Sequence, residues 1–140
     1  MTALRNVLIT FGACMASAQL LGLIRWGIIY PLFFGASPRE NPHGALVVSI
    51  ATSSVAAALA GIAAGLTVET SHPKGWSFLL AVFAWVELGG DMSWLQLPDV
   101  RSFTFSFLGT SIVCALLAVL CFFIARDWGF RRYGGTAYAR

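Results

Sequence analysis

The stretch that decides the fold is WSFLLAVFAWVELGGDMSWLQL, residues 76–97. It is long and apolar enough to form a membrane-spanning helix, since about 20 residues cross a hydrocarbon core of about 30 Å. It nevertheless carries two carboxylates, Glu87 and Asp91, and their spacing of four residues places both on one helix face. A charge in the middle of a spanning helix costs about 2.5–3.5 kcal/mol on insertion scales. The stretch therefore predicts a spanning helix whose two acids face a bundle interior, a cavity or a partner.

The composition of the whole chain also indicates that lipid is its solvent. Of its 140 residues, 58% are hydrophobic and 11% are charged, whereas a soluble domain carries about 25% charged residues. The net charge of +3 is small, and the basic residues lie near the ends of apolar stretches. This pattern favours anchoring to an anionic membrane face over nucleic-acid binding. The expected partners are the lipid bilayer and other membrane chains, not nucleic acid.

Four apolar stretches predict an all-α, integral membrane four-helix bundle in a single transmembrane domain. The predicted spans are residues 6–26, 45–68, 76–97 and 103–125, followed by a basic tail at residues 126–140. Pro31 removes a backbone donor, so we expect a kinked or interfacial segment after Arg25. The turn between the last two spans is short, which predicts that these spans are antiparallel neighbours.

The distribution of basic residues predicts the orientation of the chain. Four spans place both termini on one side of the membrane, and most of the basic residues lie on that side. They are Arg5, Lys74, Arg126, Arg131, Arg132 and Arg140. Arg39 and Arg101 lie on the opposite side, with Arg25 near that interface. The positive-inside rule then places both termini in the cytoplasm, and we expect a multi-pass protein of the plasma (inner) membrane.

The second span carries a row of small residues that predicts close helix packing. Ser49, Ser53, Ala57, Gly61 and Gly65 recur every four residues, and the last two form a GxxxG motif. Small side chains let two helix backbones approach closely. The row fits a helix packed at the centre of its own bundle, and it also fits a seam between copies in a homo-oligomer.

Three charged residues inside the predicted spans are the candidate functional residues. Arg25 ends the first span, which runs parallel to the third, so a pair with Glu87 or Asp91 is geometrically feasible. In a structural interpretation, this cluster neutralises its own charges and fixes the helix register. In a functional interpretation, two carboxylates and one guanidinium leave a surplus negative charge that binds a cation or relays protons. Gln19, in the middle of the first span, is a candidate for a polar path or for an interhelical hydrogen bond.

The sequence assigns no cofactor and no metal site. His43 and His72 lie in loops on opposite faces of the membrane, so they cannot hold one haem between them. The sequence contains no nucleophile elbow, phosphate loop or H-E-x-x-H motif, which disfavours an enzyme acting on lipid or quinone. Two hypotheses remain: a small oligomeric transporter or channel with an acidic ion or proton site, and a non-catalytic accessory subunit of a larger membrane complex.

Overall fold

All regular structure in the described part of the chain is helical. The computed structural model describes residues 2–34, 42–88 and 100–133. Its helices are α1 (Thr2–Ile24), α2 (Tyr30–Phe34), α3 (Pro42–Thr67), α4 (Pro73–Phe83) and α5 (Val100–Tyr133). A first π turn, Arg25–Ile29, joins α1 to α2 without a break, and a second π turn, Ala84–Leu88, continues α4. The all-α prediction is confirmed for these ranges.

Three helices are long and apolar enough to cross a membrane, which indicates a membrane protein. The apolar segments are Thr2–Phe33, Gly44–Thr67 and Leu108–Arg132. The fourth helix, α4 with the second π turn, is shorter than the about 20 residues that a span needs. The remainder of the predicted third span, from Gly89 to Leu97, lies outside the described residues.

The side chains are distributed as a membrane protein requires. Many of the largest apolar side chains face outward, including those of Leu23, Leu32 and Phe78, each more than 70% exposed. The interior instead holds alanines and polar side chains, with few large residues such as Phe122 and Leu80. In water this arrangement would expose too much apolar surface, whereas in lipid the outward leucines and phenylalanines are well solvated.

Helices α1, α3, α4 and α5 pack in a ring in which each contacts its two neighbours. Going round the ring, α1 contacts α3, α3 contacts α5, α5 contacts α4, and α4 contacts α1. The pair α3 and α5 is the most extensive contact, and the rings of Phe11 and Phe83 meet edge to face between α1 and α4, with centroids 5.5 Å apart. The core therefore lies inside the ring, and α4 with the second π turn contributes Leu80, Ala84 and Leu88 to it, each at most 1% exposed.

Polar contacts tie three helices together where α3 ends. The carbonyls that follow the last residue of α3, Thr67, have no partner within that helix, and here other helices supply the donors. Asn6 Nδ2 donates to the Glu69 carbonyl (2.8 Å), and Arg126 donates to the carbonyls of Val68 (3.2 Å) and Thr70 (2.6 Å). Arg5 also forms an ion pair with the Glu69 carboxylate at 2.8 Å. We call this end of the bundle, which carries Arg5, Lys74, Arg126, Arg131 and Arg132, the basic end.

These contacts fix the directions of the helices. The start of α1 and the last part of α5 both meet the end of α3, and α4 begins a few residues later. Consequently α3 and α5 run in the same direction, and α4 and α5 are antiparallel neighbours.

Pro31 does not end the first helix. In an α-helix, the missing N–H of Pro31 would leave the Gly27 carbonyl without its donor, and the ring would crowd that carbonyl. The first π turn lies at this point, and the Tyr30 N–H bonds to the Arg25 carbonyl, five residues back. The wider turn provides space for the proline ring.

The last helix also extends beyond its predicted span. It continues to Tyr133, because side chains four residues apart stabilise its final turns. Arg131 pairs with Asp127 at 2.8 Å, and the Arg132 guanidinium lies 4.9 Å from the centre of the Trp128 ring.

Candidate functional site in the bundle interior

Arg25 is held inside the bundle by hydroxyl groups of α3. It lies in the first π turn and is 3% exposed. Its Nη1 donates to Ser49 Oγ at 3.0 Å and, more weakly, to Thr52 Oγ1 at 3.5 Å. The Thr52 hydroxyl in turn donates to the Val48 carbonyl at 2.8 Å, which leaves its lone pairs for the guanidinium. Charge-assisted bonds of this kind offset part of the cost of burying a cation.

Glu87 lies in the second π turn, which packs against α1 as well as α5. It is half-buried. Within the described ranges, Glu87 and Arg25 do not form an ion pair with each other. Asp91 lies outside the described residues. Both described charges of the predicted cluster therefore lie in π turns, a local structure that is frequent at functional sites.

A stripe of three buried polar side chains, with the small thiol of Cys14 among them, runs along α1. Asn6, Thr10, Cys14 and Ser17 are at most 9% exposed, and their spacings of four, four and three residues place them on one helix face. We call these four residues the polar stripe. It leads from the basic end toward the level of the second π turn, which carries Glu87 and contacts α1.

The polar stripe is only partly satisfied by hydrogen bonds. The Thr10 hydroxyl donates to the Asn6 carbonyl at 2.7 Å. Asn6 Oδ1 is buried and has no hydrogen-bond partner among the residues that the structure describes. An unsatisfied buried polar atom costs about 1–3 kcal/mol, so this arrangement of Asn6 is not one that packing alone would favour.

Gln19 does not belong to the stripe. It is exposed and, at 3.6 residues per turn, lies on the opposite side of α1 from Asn6. The sequence analysis selected Gln19 and missed Asn6, Thr10 and Ser17. The spacing of these three polar residues within an apolar span already indicates that they share one helix face.

A second set of buried hydroxyls lies on α3 and α5. A Cβ added to Gly61 would meet the Ala118 carbonyl oxygen, and one added to Gly65 would meet that of Phe122. Because α3 and α5 are parallel, the same register places Ser53 level with Thr110. Thr110 and Ser111 are 3% and 0% exposed. Neither hydroxyl has a hydrogen-bond partner within residues 2–34, 42–88 and 100–133.

The row of small residues on α3 packs against α5 of the same chain. Ser53, Ala57, Gly61 and Gly65 are all buried, and the backbone of α5 lies directly over the two glycines. Ser49, at the start of the row, instead accepts from Arg25. In this arrangement the row is covered within one chain, so a second copy would have to contact another face.

The space beside Arg25 is closed. A crevice there is too narrow to hold a water molecule. It is lined by Ala18, Leu21, Gly22, Arg25, Thr52, Ser53, Ala56 and Leu88. No three His, Cys, Asp or Glu side chains in the described ranges come together as a metal site would need.

Comparisons with protein-family models, curated proteins and solved structures find no match for this chain.

Proposed function

We propose that this chain is a small oligomeric transporter or channel with an ion or proton site formed by Glu87 and Asp91, and with Arg25 as counter-ion. The observation that carries the proposal is the position of Glu87, a half-buried carboxylate within an apolar helix, beside a buried polar stripe. Ionisable groups at such positions mark ion pathways and proton relays in membrane proteins.

The unsatisfied polar atoms support a path rather than a dry core. Asn6 Oδ1, Thr110 Oγ1 and Ser111 Oγ have no hydrogen-bond partner in the described part of the chain. A purely structural core tends to saturate its buried polar groups. Waters or ions that pass through the bundle would supply the missing partners. The narrow crevice beside Arg25 then belongs to an occluded state.

The proposal includes an orientation, a membrane and an assembly. The basic end faces the cytoplasm by the positive-inside rule, and the chain resides in the plasma (inner) membrane. Copies of the chain meet along the outer face of α1, because Gln19 is exposed there in an otherwise apolar span. An amide facing lipid gains a hydrogen-bond partner when two such helices associate.

A flux assay with matched variants tests this function. The purified chain in liposomes should carry protons or a small cation down an imposed gradient, and Glu87→Gln should abolish the flux. Asp127→Asn is the control, because it removes the same charge from an exposed ion pair on α5. Flux that is equal in wild type and Glu87→Gln, or no flux at all, would contradict the proposal.

A second candidate, a non-catalytic accessory subunit, is favoured by the surroundings of Arg25. Its guanidinium bonds to Ser49 and Thr52 beside a crevice without room for water, as expected of a group that only sets helix register. In that case Arg25→Ala should reduce recovery of the assembled particle more than Glu87→Gln, because it removes the charged donor that joins the first π turn to Ser49 and Thr52 of α3.

A further inference from the structure

An apolar groove opens to the lipid between α3 and α5, near the basic end. It has a volume of about 300 Å³, which is room for roughly ten groups the size of a water molecule. Its walls are Ile62, Leu66, Cys121, Ile124, Ala125 and Trp128. No polar surface lines it, so a hydrocarbon chain is the occupant that its walls solvate best.

The groove exists because of the packing of α3 on α5. Gly61 and Gly65 bring the two backbones together, and Ile62 and Leu66 follow them along the chain at the edge of the contact. On α5, the walls are the small side chains of Cys121 and Ala125 and the larger ones of Ile124 and Trp128.

A cation lies at the end of this groove. The Arg132 guanidinium lies over the Trp128 ring, 4.9 Å from its centre, and Trp128 is a wall of the groove. A cation–π contact of this kind holds the guanidinium near the ring while leaving its N–H donors for other partners.

The other arginines of the basic end are already engaged. Arg5 pairs with Glu69 at 2.8 Å and Arg131 with Asp127 at 2.8 Å, and Arg126 donates to the carbonyls of Val68 and Thr70. Within the described ranges, Arg132 has neither a carboxylate nor a carbonyl as partner. The rim therefore presents a positive charge at the end of an apolar channel.

We propose that this groove binds an anionic phospholipid of the leaflet at the basic end. One acyl chain lies against Ile62, Cys121 and Ile124, and the headgroup phosphate accepts hydrogen bonds from Arg132. The ligand's apolar chain and negative headgroup match the apolar walls and the cationic rim. This site is separate from Glu87 and does not depend on the proposed transport.

Native mass spectrometry of the full chain tests the headgroup contact. The protein is equilibrated in micelles with phosphatidylglycerol or phosphatidylcholine of identical acyl chains, and retained lipids are counted. Both lipids carry a phosphate, but choline offsets its charge in phosphatidylcholine. We therefore expect wild type to retain phosphatidylglycerol in preference, and Arg132→Gln to reduce that preference about fivefold, because it removes one cation that attracts the net negative headgroup. Arg131→Gln removes the same charge one position away, from a guanidinium already paired with Asp127, and should retain the preference.

A second pair of variants tests the acyl-chain contact. Ile62→Trp fills the groove and should reduce retention of both lipids, whereas Val55→Trp adds the same side chain to an exposed position of α3 that is not a groove wall. Equal losses of preference in Arg132→Gln and Arg131→Gln would overturn the site in favour of diffuse charge attraction. Full retention in Ile62→Trp would overturn it in favour of ordinary annular lipid.

Discussion

Alanine substitution at Gly61 tests the contact on which the bundle depends. A Cβ at this position would meet the Ala118 carbonyl carbon at 3.0 Å and the Cys121 Cβ at 3.0 Å, and would overlap the Ala118 carbonyl oxygen. The obstacle includes backbone, so the two helices must separate. Overpacking of this kind costs about 1–3 kcal/mol. Replacing a helical glycine by alanine gains about 1 kcal/mol in propensity, so Gly61→Ala should lower the free energy of unfolding by about 0–2 kcal/mol, and by about 1–3 kcal/mol relative to the same change at a helical glycine with open space around it.

Gly12→Ala is the matched control for this prediction. Gly12 lies on α1, and nothing lies within 4 Å of the position that its Cβ would occupy. The propensity gain is then unopposed, and this variant should be as stable as wild type or more stable. Gly61→Ala and Gly65→Ala combined should cost less than the sum of the two, because one separation of α3 from α5 relieves both overlaps.

Reversible unfolding in mixed micelles, followed by circular dichroism, measures these differences. If Gly61→Ala is as stable as Gly12→Ala, the close contact of α3 with α5 is wrong. If Gly61→Ala instead splits an oligomer while the separated chains keep the stability of wild type, the row of small residues on α3 joins copies of the chain.

Two further predictions concern hydrogen bonds and use the same unfolding assay. Arg126→Met should destabilise the fold by about 1.5–3 kcal/mol, because the carbonyls of Val68 and Thr70 lose a charged donor. Arg131→Met breaks an exposed pair and should cost less than about 1 kcal/mol. Equal costs would contradict the hydrogen bonds from Arg126 to the segment after α3. Thr110→Val should leave stability unchanged or raise it, because it removes a buried hydroxyl without a partner in the described ranges. Ser49→Ala should instead cost about 1.5–3 kcal/mol, because it removes an acceptor of Arg25. A large loss of stability in Thr110→Val would show that this hydroxyl has a partner.

The main features of the fold could be predicted from the sequence because lipid imposes a simple rule on composition. Apolar stretches about 20 residues long have few alternatives to a helix in a bilayer, so the all-α class followed directly. The row of small residues on α3 was also visible, and the structure places α5 of the same chain over its two glycines. Sequence spacing alone cannot distinguish that contact from one between copies, because both need the same small side chains.

The local geometry of the site could not be predicted in the same way. A π turn forms where backbone N–H groups bond to the carbonyl five residues back instead of four. The spacing of side chains in the sequence does not determine that pattern. Pro31 indicated a disturbance near Arg25, but not that a wider turn would place Arg25 inside the bundle with the helix continuing to Phe34. The polar stripe could have been found, since Asn6, Thr10 and Ser17 share a helix face that excludes Gln19.

The end of α5 contained a signal that the predicted span did not use. Asp127 with Arg131, and Trp128 with Arg132, are each four residues apart, which favours a helix. The hydrophobicity of a stretch indicates only which residues lie in the lipid. A helix can continue into the aqueous phase when contacts between its own side chains stabilise it. The predicted span therefore stopped at residue 125, whereas the helix continues to Tyr133.

The central claim, that this chain moves ions without other proteins, is tested most directly by the mass of the gently solubilised particle taken from its own membrane. Native mass spectrometry of that particle should give a small whole-number multiple of the chain mass of 15.0 kDa, allowing for bound lipid. Recovery only together with larger, different polypeptides would contradict the claim and identify the chain as an accessory subunit.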